Sequence, residues 1–247
     1  MRSESGKRFL AVMASITFVV IVIGATFAYF TAKAQSDENA VNTASHFVQV
    51  DYTEGSKSMQ AIDLIPASEE VALFSYHGMK YNDDNEVVYT DNDQCVDDNK
   101  RTICSIYSFE VTNLGDIDQH LGAFITITSN EFKNLKYVLY NVTDVTDEDT
   151  VLEKYNHKVK ISTGNLANTY TDAGTFTGNG LEYVIGAKDQ VEQILKPNVT
   201  QKYELVIWLN ETGDVQDEQL NKFSGTMTVS LTDKQHVYGY IEKANKN

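Results

Sequence analysis

Proline is nearly missing from this chain: Pro66 and Pro197 are the only two in 247 residues. No proline-rich stalk or stiff linker divides it, and no internal repeat or heptad pattern marks a solenoid or a coiled coil. Positive charge is also short, with 20 Lys and Arg against 35 Asp and Glu. Beyond Ala34 the balance is 34 acids to 16 bases, a net of −18. Such a field repels nucleic acid and anionic lipid headgroups, so nucleic acid is excluded as an expected partner. Catalytic signatures are lacking too. There is no G-x-S-x-G, no H-E-x-x-H, no Walker loop and no dinucleotide fingerprint. The histidines His46, His77, His120, His157 and His236 are scattered, form no ligand-spaced pair and read as surface or turn residues. Carboxylates are so abundant that no pair stands out for glycoside chemistry. The chain is read as non-catalytic, without a resident cofactor.

One long hydrophobic run is present. From Phe9 to Phe30 there is no charge in 22 residues, with Arg2, Lys7 and Arg8 in front and acidic sequence behind. At about 1.5 Å of helical rise per residue the run can cross a hydrocarbon core of about 30 Å. The basic flank places the N-terminus inside and the rest of the chain outside, at the cell surface or beyond it. The run is longer than a usual signal core, yet Ala32 and Ala34 supply the small-x-small pair that a signal peptidase requires. Two readings stay open: cleavage after Ala34, or a retained membrane anchor through residues 9–30.

Cysteine is scarce, and both residues lie in the exported part. Cys95 and Cys104 are nine positions apart. In an oxidising compartment they are expected to pair; free thiols or half of a metal site are the alternatives, the latter poor because no histidine is near. Acidic residues crowd the same region. In a disulfide-closed loop, Asp91, Asp93, Asp97 and Asp98 offer hard oxygens to calcium. The spacing departs from the calcium-loop pattern because Cys95 occupies a ligand place and no glycine follows. A solvated acidic loop is the competing reading.

What is abundant is period-two alternation. "YSFEVTN" sets Tyr107, Phe109 and Val111 on one face. "KFSGTMTVSLTD" alternates Phe223, Met227, Val229 and Leu231 with Ser and Thr. "YELVIWLNE" is apolar on both faces and predicts a central strand buried on both sides. "GAFITITS" and "KYVLYNV" predict further strands. Helix is expected only at "SEEVALFSYH" from Ser68 and "AKDQVEQIL" from Ala187. The pattern predicts an all-β fold, an antiparallel β-sandwich of eight to ten strands with one or two short helices, behind the N-terminal hydrophobic helix. Residues 1–34 form the signal or anchor. Residues 35–247 form one extracellular domain with an acidic insertion near 77–104, where a small two-stranded annex fits.

Three stretches together carry a resemblance. "GATFAYFTAKA" closes the apolar run, "YSFEVTNLGDIDQHLGAFITI" sits mid-chain, and "LKPNVTQKYELVIWLNETGDVQDEQLNKFSGTMTV" lies near the end. Tyr107, Phe109, Val111, Asn113 and Gly115 match a Y-x-F-x-V-x-N-x-G strand and turn; Tyr203 to Leu209 and Phe223 to Val229 match the closing strands. In these features the chain resembles the TasA and camelysin-type surface proteins of Gram-positive bacteria. The resemblance implies a jelly-roll-like sandwich and a structural role in surface fibres or biofilm matrix. The metallopeptidase activity ascribed to the camelysin branch is not carried over, because no zinc motif is present.

The expectation is an exported, fibre-forming or adhesive surface protein. It associates with itself or with other matrix proteins, after processing by a signal peptidase. A sandwich has edge strands with unpaired amides, and the polar segment Gln35 to Val50 is a candidate strand to donate to a neighbour. The alternative is a membrane-anchored extracellular binding module; an extracellular hydrolase is third.

Overall fold

A computed structural model describes residues 50–54, 59–90, 94–187, 190, 192–214, 216, 218 and 220–232, all within one compact unit. The hydrophobic run, Ala32 and Ala34 lie outside the described residues, as do Asp91 and Asp93. Among those described, no helix is long and apolar enough to cross a membrane.

Twelve strands and two short helices form among the described residues. In chain order they are β1 (Val50–Glu54), β2 (Gln60–Ile62), α1 (Glu69–Tyr76), β3 (Met79–Tyr81), β4 (Val87–Tyr89), β5 (Cys104–Asn113) and β6 (Gln119–Asn130). There follow β7 (Leu135–Asn141), α2 (Val151–His157), β8 (Val159–Asn165), β9 (Gly180–Ile185), β10 (Ile194–Leu195), β11 (Thr200–Leu209) and β12 (Lys222–Thr232). Every pairing between these strands is antiparallel. The first sheet runs β1-β5-β11-β7-β8; the second runs β10-β6-β12-β2, with β9 also on β6; β3 and β4 make a separate hairpin. The expected antiparallel β-sandwich is the fold, with more strands than the eight to ten anticipated.

The inner faces of the two sheets make the main core. Tyr107, Phe109 and Val111 of β5 and Leu205 and Ile207 of β11 meet Leu121, Ile125 and Ile127 of β6 and Phe223 and Met227 of β12. The alternation in β12 is as read: Phe223 and Met227 are buried, Thr226, Thr228 and Ser230 exposed. In β6 the register slips opposite Ser224 and Gly225, which turns Asn130 inward beyond the bulge.

Two buried asparagines hold the strand ends. Asn113 closes β5 with its carboxamide inside the protein. Its Nδ2 donates to the carbonyls of Ile117 (2.8 Å) and Leu195 (2.9 Å), and its Oδ1 accepts from the Gly115 amide at 2.9 Å. The same side chain thus shapes the β5–β6 turn and pins β10. Asn130 does the equivalent at the end of β6, donating to Leu166 and Ala167 and accepting from Phe132. The Asn and Gly of the Y-x-F-x-V-x-N-x-G stretch therefore serve folding.

The sequence reading needs three corrections. Within Ala187–Leu195, Ile194–Leu195 is β10, paired with β6, instead of part of a helix. The second helix is α2, opened by a capping box: Thr150 Oγ1 accepts from the Glu153 amide, and the Glu153 carboxylate accepts from the Thr150 amide. Val50, taken as the end of a donor segment, already pairs with Asn113 of its own chain.

Replacing Asn113 by Leu keeps bulk but strands the Ile117 and Leu195 carbonyls and the Gly115 amide. The expected loss is on the order of 3 kcal/mol, read as a lower urea midpoint with an unchanged m-value. An unchanged midpoint would contradict the role given to Asn113.

Candidate functional site

The first sheet has a second, outer core. Val206 and Trp208 point away from the sandwich and join Val138, Tyr140, Ala72, Tyr76, Ile103 and both cysteines in a cluster apart from the main one. This is the two-sided burial predicted for "YELVIWLNE". The cover is a cap made of α1, the β3–β4 hairpin and the disulfide loop. Ser68 opens α1 by accepting from the Val71 amide (3.3 Å), and Glu69 and Glu70 favour its positive N-terminal end. Gly78 ends it in the left-handed region at φ 68°, where a Cβ would come within 3.0 Å of the Thr90 carbonyl. Cys95 and Cys104 are disulfide-bonded with Cα atoms 4.7 Å apart, tying the cap to the first residue of β5.

Inside the disulfide loop the acids have local tasks. Asp97 Oδ1 accepts from the amides of Asn99 and Arg101, and its Oδ2 accepts from Arg101 Nε at 2.7 Å. Desolvation, the largest single effect, pushes the Asp97 pKa up, but these bonds and the Arg101 charge together outweigh it and hold the carboxyl below its usual range. Asp98 pairs with Lys80 at 2.6 Å. Of the candidate calcium ligands, Asp97 and Asp98 hold cations of the chain itself, and Asp91 and Asp93 lie outside the described residues. Among the described residues no group of three or more His, Cys, Asp and Glu is placed to hold a metal ion.

The most perturbed ionisable groups lie where cap, α2 and sheet meet. Tyr76 Oη donates to Glu204 Oε2 at 2.5 Å, and Lys158 Nζ stands 3.6 Å from the same oxygen. The Lys158 ammonium also lies 3.8 Å from the Tyr76 ring centroid, a cation–π contact. Burial raises the Tyr76 phenol well above its usual range, with Glu204 adding to it, and burial lowers Lys158 against the pull of Glu204. His77 is buried against the edges of Tyr140 and Tyr155, with ring centroids 5.3 and 4.7 Å away. It lies in the turn that ends α1, one of the two places expected for it, but is buried there instead of exposed. Desolvation, then the Lys158 charge, pushes its pKa down to about 3. Its Nδ1 has no hydrogen-bond partner among the described residues, and the same holds for Trp208 Nε1. His120 Nδ1 lies 2.9 Å from Glu192 Oε1, and His157 Nδ1 lies 3.0 Å from Asp149 Oδ2.

None of these buried groups lines the cavity of the cap. That cavity, ≈ 170 Å³, is walled by Val71, Phe74, Met79, Val96 and Ile103, with Tyr81 also facing it. Asp97, Lys80 and Asp98 are its charged lining residues. The buried network is suited to fastening α1 and α2 onto the sheet; the cavity is suited to an apolar side chain. Sequence signals for the network were faint: Tyr76 and Glu204 are 128 positions apart, and a lone Lys after a short helix announces nothing.

Three measurements probe the cap. Trp208→Ala is expected to cost about 3–5 kcal/mol, with a blue-shifted native emission from this sole tryptophan; solvent-like emission in folded protein would contradict its burial. Alkylation of exported protein without reductant should leave both cysteines unmodified, and reduction should cost about 2–3 kcal/mol in the chain-entropy account. Free His77 takes a proton below its ordinary 6.5, folded His77 only near 3. Stability should therefore fall as pH drops from 6.5 towards 3, by at most about 1.4 kcal/mol per pH unit from this residue. The difference between wild type and His77→Phe in urea midpoint against pH isolates that slope; parallel profiles would contradict it.

Comparison with known proteins adds no relative to this picture: no family model matches the chain, and no curated protein matches it.

Proposed function

We propose that the chain is an exported, non-catalytic cell-surface structural protein that assembles with copies of itself, as its resemblance to the TasA and camelysin-type proteins implies. The observation that carries this is the edge of β12. On one side β12 pairs with β6 from Phe223 to Thr232; on the other, β2 covers only Lys222 to Ser224, and Met59 accepts from the Gly225 amide. From Thr226 to Thr232 no described strand pairs with that second side. Alternate backbone groups along it face outward, in the arrangement that accepts an added strand. Residues Gln35 to Gln49, ahead of β1, are the segment proposed to fill this edge on a neighbour once cleavage after Ala34 frees it. The disulfide fits an oxidising compartment outside the cell. The jelly-roll class of the sandwich belongs to the same proposal.

The hydrophobic run favours a second reading, a binding module held by residues 9–30. N-terminal sequencing of native surface material separates the two, with Gln35 as the first residue expected for the assembling form. The assembly test is electron microscopy of chains beginning at Gln35 and at Val50. The first should form fibres, more readily with added salt or at lower pH, where the −18 charge is screened or partly neutralised. The second should stay a folded monomer. Equal fibres from both, or none from either, would remove the donor-strand proposal.

A further inference from the structure

The cap cavity and the sequence after β12 are both unused by this assembly. At ≈ 170 Å³ the cavity is too small for a drug-sized ligand, whose sites begin near about 300 Å³, and fits one large side chain. Its surroundings are acidic, with nine Asp and Glu and three Lys and Arg between Ser68 and Cys104. Lys80 pairs with Asp98 and Arg101 with Asp97, each at 2.6 Å. A fitting occupant has a bulky apolar side chain flanked by positive charge.

The chain contains such a stretch. Residues 233–247, "DKQHVYGYIEKANKN", lie outside the described residues and set Tyr238, Tyr240 and Ile241 among Lys234, Lys243 and Lys246, with two acids. They run against the acidic trend of the exported part. Their point of departure is fixed: Thr232 pairs with His120 at the start of β6, one turn from Asn113 at the end of β5. The cavity lies against Ile103, beside Cys104 at the beginning of β5. The length of β5, about 30 Å at 3.3 Å per residue, separates the two. Tyr238 and Tyr240 stand six and eight residues beyond Thr232, a reach of at most about 20–29 Å when fully extended. The cavity of the same chain lies beyond that reach, because the tail must cover the length of β5 and also pass from the second sheet to the outer face of the first. The cavity of a copy docked end to end needs only part of it. A pocket at one end and a tail at the other define a heterologous contact, which repeats into a filament.

We propose that the cap cavity receives a tyrosine, Tyr238 or Tyr240, from residues 233–247 of a second copy. This rests on the self-assembly reading only in that two copies must meet.

The test is calorimetric titration of a synthetic 233–247 peptide into exported protein kept monomeric. Saturable one-to-one binding is expected, weakening with salt. It should fall by about tenfold or more (at least 1.4 kcal/mol) for Tyr81→Ser protein and for a peptide with both tyrosines replaced by serine. Circular dichroism establishes that the variant is folded, and Asp98→Asn gives a second variant with the apolar walls intact. Equal binding of a scrambled peptide, or of the Tyr81→Ser and Asp98→Asn proteins, would overturn the proposal. So would a chain ending at Thr232 that binds the peptide about tenfold tighter than the full chain, since the full chain's own tail would then be the occupant. Peptide binding without fibres would sink the assembly reading alone; fibres without peptide binding would sink this docking alone.

Discussion

Strand β11 has to be apolar on both of its faces, because the sheet it centres is covered on both. Tyr203, Leu205, Ile207 and Leu209 meet the second sheet, while Val206 and Trp208 meet the cap. An uncovered Trp208 would expose one of the largest apolar surfaces in the chain, so a cover is required, and most of the unusual chemistry follows from it. α1 must lie flat on the sheet, which drives Tyr76 and His77 inside. The Tyr76 phenol then needs an acceptor and finds Glu204; the Glu204 carboxylate needs a counter-charge and finds Lys158. The disulfide fastens the loop that would otherwise peel from the start of β5. The perturbed ionisable groups are consequences of covering a strand.

The second sheet is built on the opposite principle. Its outer face carries Thr128, Thr226, Thr228 and Ser230 in water, and β12 runs on beyond the short cover of β2. β6, by contrast, is closed on both sides, by β12 on one and by β9 and β10 end to end on the other. Closed edges everywhere would give an inert monomer. Among the described residues no strand pairs with the second side of β12 over seven residues, Thr226–Thr232, beside a threonine-rich face, and in the proposed assembly a neighbour's strand completes it. In that proposal the acidity sets the conditions under which copies approach one another.

Legibility followed the range of the interactions. β5, β7, β11 and β12 were plain, because alternation is a local pattern and their inner faces are uniformly apolar. α1 was plain from Ser68 and the two following glutamates. The helix α2 was missed although Thr150 and Glu153 spell a capping box, since no residue of α2 is buried and it carries little apolar period. Ala187–Leu195 misled because Val191, Ile194 and Leu195 sit at helical spacing, while Ile194–Leu195 is claimed by the free end of β6. The acidic loop suggested calcium because composition is visible and pairing is not: Asp97 is spoken for by Arg101, four residues on, and Asp98 by Lys80, 18 residues back. The buried network could not be read at all, being assembled from α1, the start of β8 and β11 across more than a hundred positions.

Hydrogen exchange, compared between monomer and assembled material, tests the account most directly because it reports both sheets at once. In the monomer the amides of β11 should be among the slowest to exchange, as expected for a strand paired and covered on all sides. Alternate amides of Thr226–Thr232 should exchange fast in the monomer and become protected in the assembled form. Protection of the whole of Thr226–Thr232 in the monomer, unchanged on assembly, would show that this edge is already filled and would contradict the account.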